Sequence, residues 1–240
     1  MITASGPEFR ELVERRTSVR EISSRPVADD VVERLVATAA SAPSWCNVQA
    51  WRLYLVRAPE TEELSRELLQ AAQRREARPD LPFIGGFDAP YRQRKHTTDA
   101  LLRAARSGSA RLDPRTELSF VKRNWEFFGA GQVLFLTVPK AHLPYALLDL
   151  GCLLQTLLLA ITVEGLVACP QGALAQFPHV LRARLPIGTD EALVCGVSFG
   201  YAEQNRAVTV RTPRAPIDEI LWRREGQPAG RRTDEKKRRA

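Results

Sequence analysis

One stretch near the middle of the chain, residues 145–164, constrains the fold more than any other. It follows Pro144 and is apolar around almost its whole circumference, whereas a surface helix would show one polar face. It also contains Asp149, Gln155 and Thr156, which argue against a membrane span. The stretch therefore predicts a long helix that is buried in the middle of the fold or in an oligomer interface.

Helical and extended patterns are mixed along the rest of the chain. Three- and four-residue apolar spacings predict a first helix that starts near Pro7. Further helices are predicted at about 31–40, 60–77, 117–129, 176–185 and 217–222. Apolar runs predict strands at about 52–57, 132–138, 165–169 and 192–199. Because helices and strands do not alternate strictly, the sequence favours an α+β sandwich over a doubly wound fold. With 240 residues, 44% of them hydrophobic, the chain can bury one sizeable core, which we assign to a single domain over 1–222.

Periodicity fails between residues 79 and 114. Pro79, Pro82 and the pair Gly85–Gly86 interrupt it, and residues 91–96 are polar. A long irregular segment inside a compact domain is usually a lid, a binding segment or a mobile loop. We predict that residues 79–114 are irregular and form a lid or substrate segment.

The formal charge of +7 is concentrated at the end of the chain. Residues 223–240 carry eight Lys or Arg against three carboxylates, a net of +5, which leaves +2 for all other residues. The basic segment has no interleaved aromatics and follows a Gly- and Pro-containing stretch at 226–230. We therefore expect a disordered tail rather than a nucleic-acid-binding surface, which is the alternative interpretation.

Several common kinds of site are absent from the sequence. There is no P-loop, no G-x-G-x-x-G after a strand and no G-x-S-x-G motif. The four cysteines form no C-x-x-C pair and the three histidines are scattered, so we expect no metal site. No signal peptide is apparent, and we expect a cytoplasmic protein without a membrane partner. Any chemistry must then come from a cofactor that is held by Arg, Ser, Asn and backbone groups.

Two polar segments in the first fifth of the chain are candidates for holding such a cofactor. Residues 15–20 place three guanidinium groups and two hydroxyls at the end of a predicted helix. Such a cluster can cradle a phosphate, or it can be a solvated basic helix end. Residues 42–51 form a loop that is both polar and aromatic, which could bind one ligand or cap itself.

Taken in order, these segments closely resemble the FMN-dependent nitroreductase family. The likeness covers about residues 8–222, and residues 124–130 resemble, more loosely, members that reduce nitrobenzoates. The motifs that carry the resemblance lie at 16–20, 42–51, 149–160, 164–166, 169–173, 196–201 and 211–216. The resemblance implies an α-β-α sandwich with a mixed central sheet flanked by helices, built as an intertwined homodimer with two FMN sites at its interface.

The resemblance also assigns roles to residues. Arg16, Ser18 and Arg214 would hold the FMN phosphate and ribityl chain, and Arg20 would reach the pyrimidine end of the flavin. The loop residues would touch the flavin of the other subunit, and a backbone N–H near Gln171 would lie close to flavin N5. No side chain is assigned as catalytic. The complete set of cofactor-binding residues implied in this way is Arg16, Thr17, Ser18, Arg20, Pro43, Ser44, Trp45, Asn47, Asn124, Pro170, Gln171, Gly172 and Arg214.

The implied activity is an oxidoreductase that uses NADH or NADPH to reduce nitroaromatic, quinone or similar small electron-poor acceptors in a ping-pong cycle. Trp45 and Ala50 depart from the family pattern, and Trp45 could narrow the acceptor slot or simply pack the interface. Two alternatives stay open. The same fold could perform dehalogenation, flavin fragmentation or azoline dehydrogenation, or the chain could bind flavin without turnover.

Overall fold

The computed structural model describes residues 5–82, 86–107, 114–203 and 210–222 of the chain. The basic tail predicted at 223–240 lies outside the described residues, as do residues 204–209. All statements about the structure below refer to the described residues.

Helices and strands follow one another along the chain in an irregular order, as the sequence predicts for an α+β protein. The helices are α1 (Gly6–Arg15), α2 (Asp29–Ala40), α3 (Glu60–Gln73), α4 (Tyr91–Ser107), α5 (Pro114–Lys122), α6 (Tyr145–Val163), α7 (Pro178–Arg182) and α8 (Ile217–Ile220). The strands are β1 (Arg52–Arg57), β2 (Gln132–Pro139), β3 (Val167–Gln171) and β4 (Glu191–Gly200).

The four strands form one sheet in the order β1-β2-β4-β3, and all neighbours in it are antiparallel. The described strands are therefore all antiparallel, whereas the resemblance implies a mixed sheet; the single parallel bridge, from Ser18 to Ala168 at the β3 edge, lies outside the four strands. An antiparallel bridge joins Ile22 to Ala202 a few residues further on. The chain between α1 and α2 is thereby fixed along the edge strand β3.

Side chains on β2 alternate between two apolar layers, because successive residues of a strand point to opposite faces. Leu134, Leu136 and Val138 belong to the layer that also contains α2 and α6. Val133 and Phe135 belong to the layer that contains α3 and α7. Helices thus cover both faces of the sheet, which gives the α-β-α sandwich that the sequence predicts.

Helix α6 is the long apolar helix predicted from the sequence. Leu150, Leu153 and Leu157 recur at three- and four-residue spacing and are buried against the sheet. By length and composition alone, α6 is also the one described helix that could cross a membrane, but 44% of its most apolar window is buried inside the chain. A core helix meets the same criteria. The opposite face of α6 remains exposed, where the exposed fractions of Leu148 and Val163 are 66% and 68%.

The structure differs from the sequence-based prediction in three segments. Residues 79–114 are not irregular throughout, because Tyr91–Ser107 is helical. That helix is polar, so it shows no clear apolar stripe in the sequence, and the ion pair between Lys95 and Asp99 supports it at four-residue spacing. The predicted helix at 117–129 is α5 followed by turns and a short 3-10 segment, Phe127–Gly129. The predicted helix at 176–185 is limited to Pro178–Arg182.

Candidate cofactor site

Helix α1 delivers the arginine segment to the edge of the sheet. It begins with a capping box, in which the Glu8 N–H donates to Ser5 Oγ and the Ser5 N–H donates to the Glu8 carboxylate. It ends at Arg15, and the Val19 N–H then donates to the carbonyl of Ala168 at 3.0 Å. Val19 is buried, so the segment is anchored there. Its polar neighbours are left half-buried beside β3.

The predicted phosphate-binding residues come together around one cavity of about 610 Å³. The C-terminal segment closes one side of the cavity, since Arg211 donates to the carbonyl of Glu14 at 2.9 Å and Arg214 donates to the Thr212 hydroxyl at 2.7 Å. The residues that line the cavity are Val13, Glu14, Arg16, Thr17, Ser18, Arg20, Thr98, Gln155, Val210, Arg211, Thr212 and Arg214. We call this cavity the cradle.

The cradle carries a strong excess of positive charge. Four arginines and one glutamate line it, which is a formal net charge of +3. Among the described residues, no carboxylate forms an ion pair with Arg16, Arg20 or Arg214. Burial and the nearby positive charge of Arg214 lower the pKa of the Arg16 guanidinium. An anion bound between Arg16 and Arg214 would remove this repulsion, so the cradle fits a phosphate group.

A second cavity of about 270 Å³ adjoins the cradle through Arg20, which lines both. Asn124 and Phe128 line this second cavity from the turn before β2. The Ile22 N–H donates to the Phe128 carbonyl at 3.0 Å, so this turn is fixed against the segment that follows α1. Gly129 has a φ of +88°, and a Cβ there would lie 2.8 Å from the Ile22 carbonyl oxygen. Only glycine fits this close approach.

Gln171 is the last residue of β3 and Gly172 follows it, and the two residues differ in burial. The Gln171 amide is buried, donates to the carbonyl of Asn124 at 2.8 Å and accepts a hydrogen bond from the Ser198 hydroxyl. It therefore holds the Asn124 turn against the sheet, and its side chain is not left for a ligand. Gly172 is exposed, and a Cβ there would meet nothing within 4 Å. Pro170, the residue before Gln171, pairs with Val197 of β4.

The loop containing Pro43, Ser44, Trp45 and Asn47 does not line the cradle. It forms a separate cavity of about 220 Å³ together with α6, in which the rings of Trp45 and Tyr145 lie 4.4 Å apart. Asp149 of α6 holds the loop, because its carboxylate accepts a hydrogen bond from the backbone N–H of Trp45 at 3.0 Å. Cys46, Asn47 and Gln49 all have positive φ, a conformation that costs free energy in non-glycine residues. The loop is held against α6 by this hydrogen bond and ring contact, and it presents an exposed Trp45.

Sequence reasoning missed several residues that line these cavities. Thr98 and Lys95 lie on α4, whose helical structure the sequence did not reveal, and Gln155 was noted only as a polar residue of α6. Thr212 stands two residues before Arg214, and this spacing is the signal that could have included it. The described residues contain no cluster of His, Cys, Asp and Glu that could hold a metal ion.

Fold and site together define an α+β protein with a cationic cavity at the edge of its sheet. Comparison with known proteins agrees. The family model for the nitroreductase family matches residues 13–201. The 4-nitrobenzoate reductase of Nocardioides sp. (strain LMS-CY) is 31% identical over 222 residues, which is 89% of this chain and 90% of that protein. Nitroreductase NfnB of Mycolicibacterium smegmatis is 30% identical over 210 residues, 87% of this chain and 89% of that protein.

A solved structure gives the same answer for the fold. The crystal structure of the FMN-dependent nitroreductase NfnB from Mycobacterium smegmatis, in complex with NADPH, superposes with a TM-score of 0.83 at 29% identity. It covers 90% of this chain and 97% of that one. The chain belongs to the nitroreductase family, which confirms the resemblance drawn from the sequence motifs.

Proposed function

We propose that the protein is an FMN-dependent oxidoreductase that takes electrons from NADPH or NADH and reduces nitroaromatic, quinone or similar electron-poor acceptors. One observation carries the proposal: the cradle gathers four arginines at the end of α1 and in the C-terminal segment with a net charge of +3. Structural relatives described as FMN-dependent and NADPH-bound support the choice of cofactor and electron donor.

The residues of the chain fit FMN from its phosphate to its ring. Arg16, Ser18 and Arg214 would hold the phosphate and the ribityl chain, with the Thr17 hydroxyl beside them. Arg20 lines both cavities and would place its positive charge beside the pyrimidine end of the flavin, where negative charge develops on reduction. Asn124 would lie along the same edge.

The backbone around Gly172 is the candidate for contact with the reactive edge of the flavin. Nothing fills the space that a Cβ would occupy there, so a planar ring can approach the chain closely. FMN, when bound, supplies the redox chemistry by accepting a hydride from the nicotinamide and passing two electrons to the acceptor. For a nitro group the balance is ArNO2 + NAD(P)H + H⁺ → ArNO + NAD(P)⁺ + H2O. The chain's own residues bind, orient and shield the reactants.

A homodimer would complete the site. The exposed face of α6 carries Leu148 and Val163, both about two-thirds exposed. The loop at 43–47 presents the exposed Trp45, whose ring contacts Tyr145 of α6. A second copy packed on this face would bury these side chains. It would also bring Ser44, Trp45 and Asn47 of one subunit to the cradle of the other, as the resemblance implies. A Leu148→Glu variant should elute as a monomer in size-exclusion chromatography and should lose FMN.

Helix α4 supports the proposal of a lid over the acceptor. Thr98 lines the cradle, and Lys95 lines the second cavity on the same helix. The helix therefore covers the side of the site on which an acceptor would enter. The basic tail predicted at 223–240 has no assigned part in the reaction.

The visible absorption spectrum of the purified protein, before and after anaerobic addition of NADPH or NADH, tests the proposed function. We expect flavin bands in the oxidised protein that bleach on addition of the donor and return when a nitroarene is added. Bands that stay unchanged would leave a flavin-binding protein without this donor. A protein that binds no FMN at all would contradict the proposal.

A further inference from the structure

Helix α4 lines three cavities in a row, and Lys95 is the residue that connects two of them. Thr98 faces the cradle, whereas Asp99, Leu102 and Arg103 face the second cavity beside Arg20. Lys95 lines the second cavity and also a third one of about 420 Å³ that adjoins Gly172. A ligand that lies against Gly172 is therefore within the reach of the Lys95 side chain.

The third cavity is apolar except for this one lysine. Its described lining residues are Pro79, Leu81, Pro82, Phe87, Lys95, Gly172, Ala175, Leu193 and Val194. Lys95 is the only ionisable side chain among them. Apolar walls with a single charged group are the arrangement by which a pocket binds a flat hydrophobic ligand and fixes its orientation through one polar substituent.

The second cavity adds further positive charge on the same side. Arg20, Lys95 and Arg103 are opposed there by Asp99, which gives the lining a formal net charge of +2. Lys95 Nζ donates to Asp99 Oδ2 at 2.6 Å. An ammonium group has three N–H donors, so this bond leaves Lys95 able to donate to a ligand as well. A negatively charged substituent would be attracted to this side, and a positively charged one would be repelled.

We propose that the physiological acceptor is an aromatic compound that carries an anionic substituent such as a carboxylate, and that Lys95 is the residue that binds this substituent. The ring of the acceptor fills the apolar cavity beside Gly172, and the carboxylate accepts a hydrogen bond from Lys95 Nζ. This inference rests on the proposed function, whose acceptor class it narrows. Lys95 acts on the binding of the acceptor and takes no part in electron transfer.

Equilibrium binding tests the inference without turnover. FMN-loaded protein is titrated with benzoate or with its neutral isostere benzamide, and the change in the flavin absorption bands is recorded. We expect benzoate to bind about tenfold more tightly than benzamide, the size of one charge-assisted hydrogen bond. Lys95→Met should remove this preference and Lys95→Arg should keep it. Arg92→Met, which removes an exposed charge from the same helix outside the cavities, should leave both affinities unchanged.

A variant that is expected to bind benzoate more tightly, rather than more weakly, keeps the test independent of folding defects. Asp99→Asn removes the carboxylate that competes for Lys95 and should tighten benzoate binding about threefold, while benzamide binding stays constant. Equal affinities of the wild type for the two ligands, or an equal loss of both in Lys95→Met, would overturn the inference.

Turnover separates the inference from the proposed function. With NADPH as donor, Lys95→Met should raise the KM for 4-nitrobenzoate about tenfold and leave kcat and the KM for 4-nitrobenzamide within twofold. Reduction of both nitroarenes with the same KM would overturn the inference but support the proposed function. Selective binding of benzoate without any NAD(P)H oxidation would support the anion site and contradict the proposed function.

Discussion

Two groups of charged side chains in this protein are built in opposite ways. Around Asp80 and Glu191, each carboxylate side chain is less than a tenth exposed and is surrounded by donors from distant parts of the chain. Around Arg16 and Arg214, both guanidinium groups line the cradle and the charge of Arg214 acts on Arg16, and no described carboxylate pairs with either of them. The first group is complete within the described residues, whereas the second has excess positive charge that no described carboxylate neutralises.

The donors to the two carboxylates show how complete the first group is. Asp80 accepts from Arg182 at 2.8 and 3.1 Å and from the Leu193 N–H at 3.0 Å, and it pairs with Lys140 at 3.2 Å. Glu191 accepts from Tyr54 at 2.9 Å and from Arg52 at 3.2 Å, in addition to the Thr137 hydroxyl. Both carboxylates are thus satisfied by donors of the fold itself, so we assign the group to stability and propose the cradle for binding.

The largest expected effect comes from breaking the complete group. Asp80→Asn should lower the free energy of unfolding by about 3 kcal/mol, because it leaves the charges of Arg182 and Lys140 partly buried without a counter-ion. Urea denaturation of the FMN-free chain measures the change. The matched control is Asp30→Asn, since Asp30 pairs with Arg34 on the exposed face of α2 and should have no measurable effect.

Removing a charge from the cradle should have the reverse pattern. Arg16→Gln should raise the Kd for FMN about 100-fold, because a charge-assisted contact to phosphate is lost. The free energy of unfolding of the FMN-free chain should stay the same or rise, since the repulsion from Arg214 is relieved. Fluorescence titration with FMN and urea denaturation give the two values. Arg10→Gln, an exposed change on α1 outside the cradle, serves as control, and a destabilised Arg16→Gln protein with normal FMN affinity would contradict the assignment.

The pH dependence of stability gives a third way to separate the groups. Burial raises the pKa of Glu191, but hydrogen bonds from Thr137 and Tyr54 outweigh it and hold the pKa below its usual value. The carboxylate therefore stabilises the fold at pH values above about 4.3, the usual pKa of Glu, and this contribution is lost as the pH falls through the lowered value. Glu191→Gln should cost about 2 kcal/mol at pH 7 and progressively less towards pH 3. A constant difference over this range, measured by urea denaturation, would contradict the assignment.

The same contrast explains how much could be predicted from the sequence. The cradle was predicted because its residues are close in sequence, from Arg16 to Arg20, and repeat a family motif, with Arg214 in a second motif. The strand Arg52–Arg57 and the long helix α6 were predicted because their apolar patterns are continuous. Family membership confirms the resemblance that these motifs carry, and the roles of the single residues stay a prediction.

The complete group was not predicted, for a physical reason. Asp80 and Arg182 are 102 residues apart, and nothing in a single sequence indicates which distant charges the fold brings together. Helix α4 was missed because its polar composition gives no apolar stripe, so the position of Lys95 beside Gly172 could not be foreseen either. Local motifs therefore predicted residues that come together around the cradle, and the tertiary fold alone shows the buried ion pairs.

The smallest expected effect uses inorganic phosphate in place of the cofactor. If the cradle lacks only an anion, phosphate should bind the folded FMN-free chain and stabilise it, by about 1.4 kcal/mol at a concentration ten times its Kd. Chloride at the same ionic strength should have a much smaller effect, because a single monovalent atom cannot offer the separate oxygens that accept two parallel hydrogen bonds from arginine. Asp80→Asn should keep the stabilisation by phosphate, whereas Arg16→Gln should lose it. Thermal unfolding at a series of phosphate concentrations measures the effect, and an equal response of all three proteins would mean that phosphate acts on the general surface rather than in the cradle.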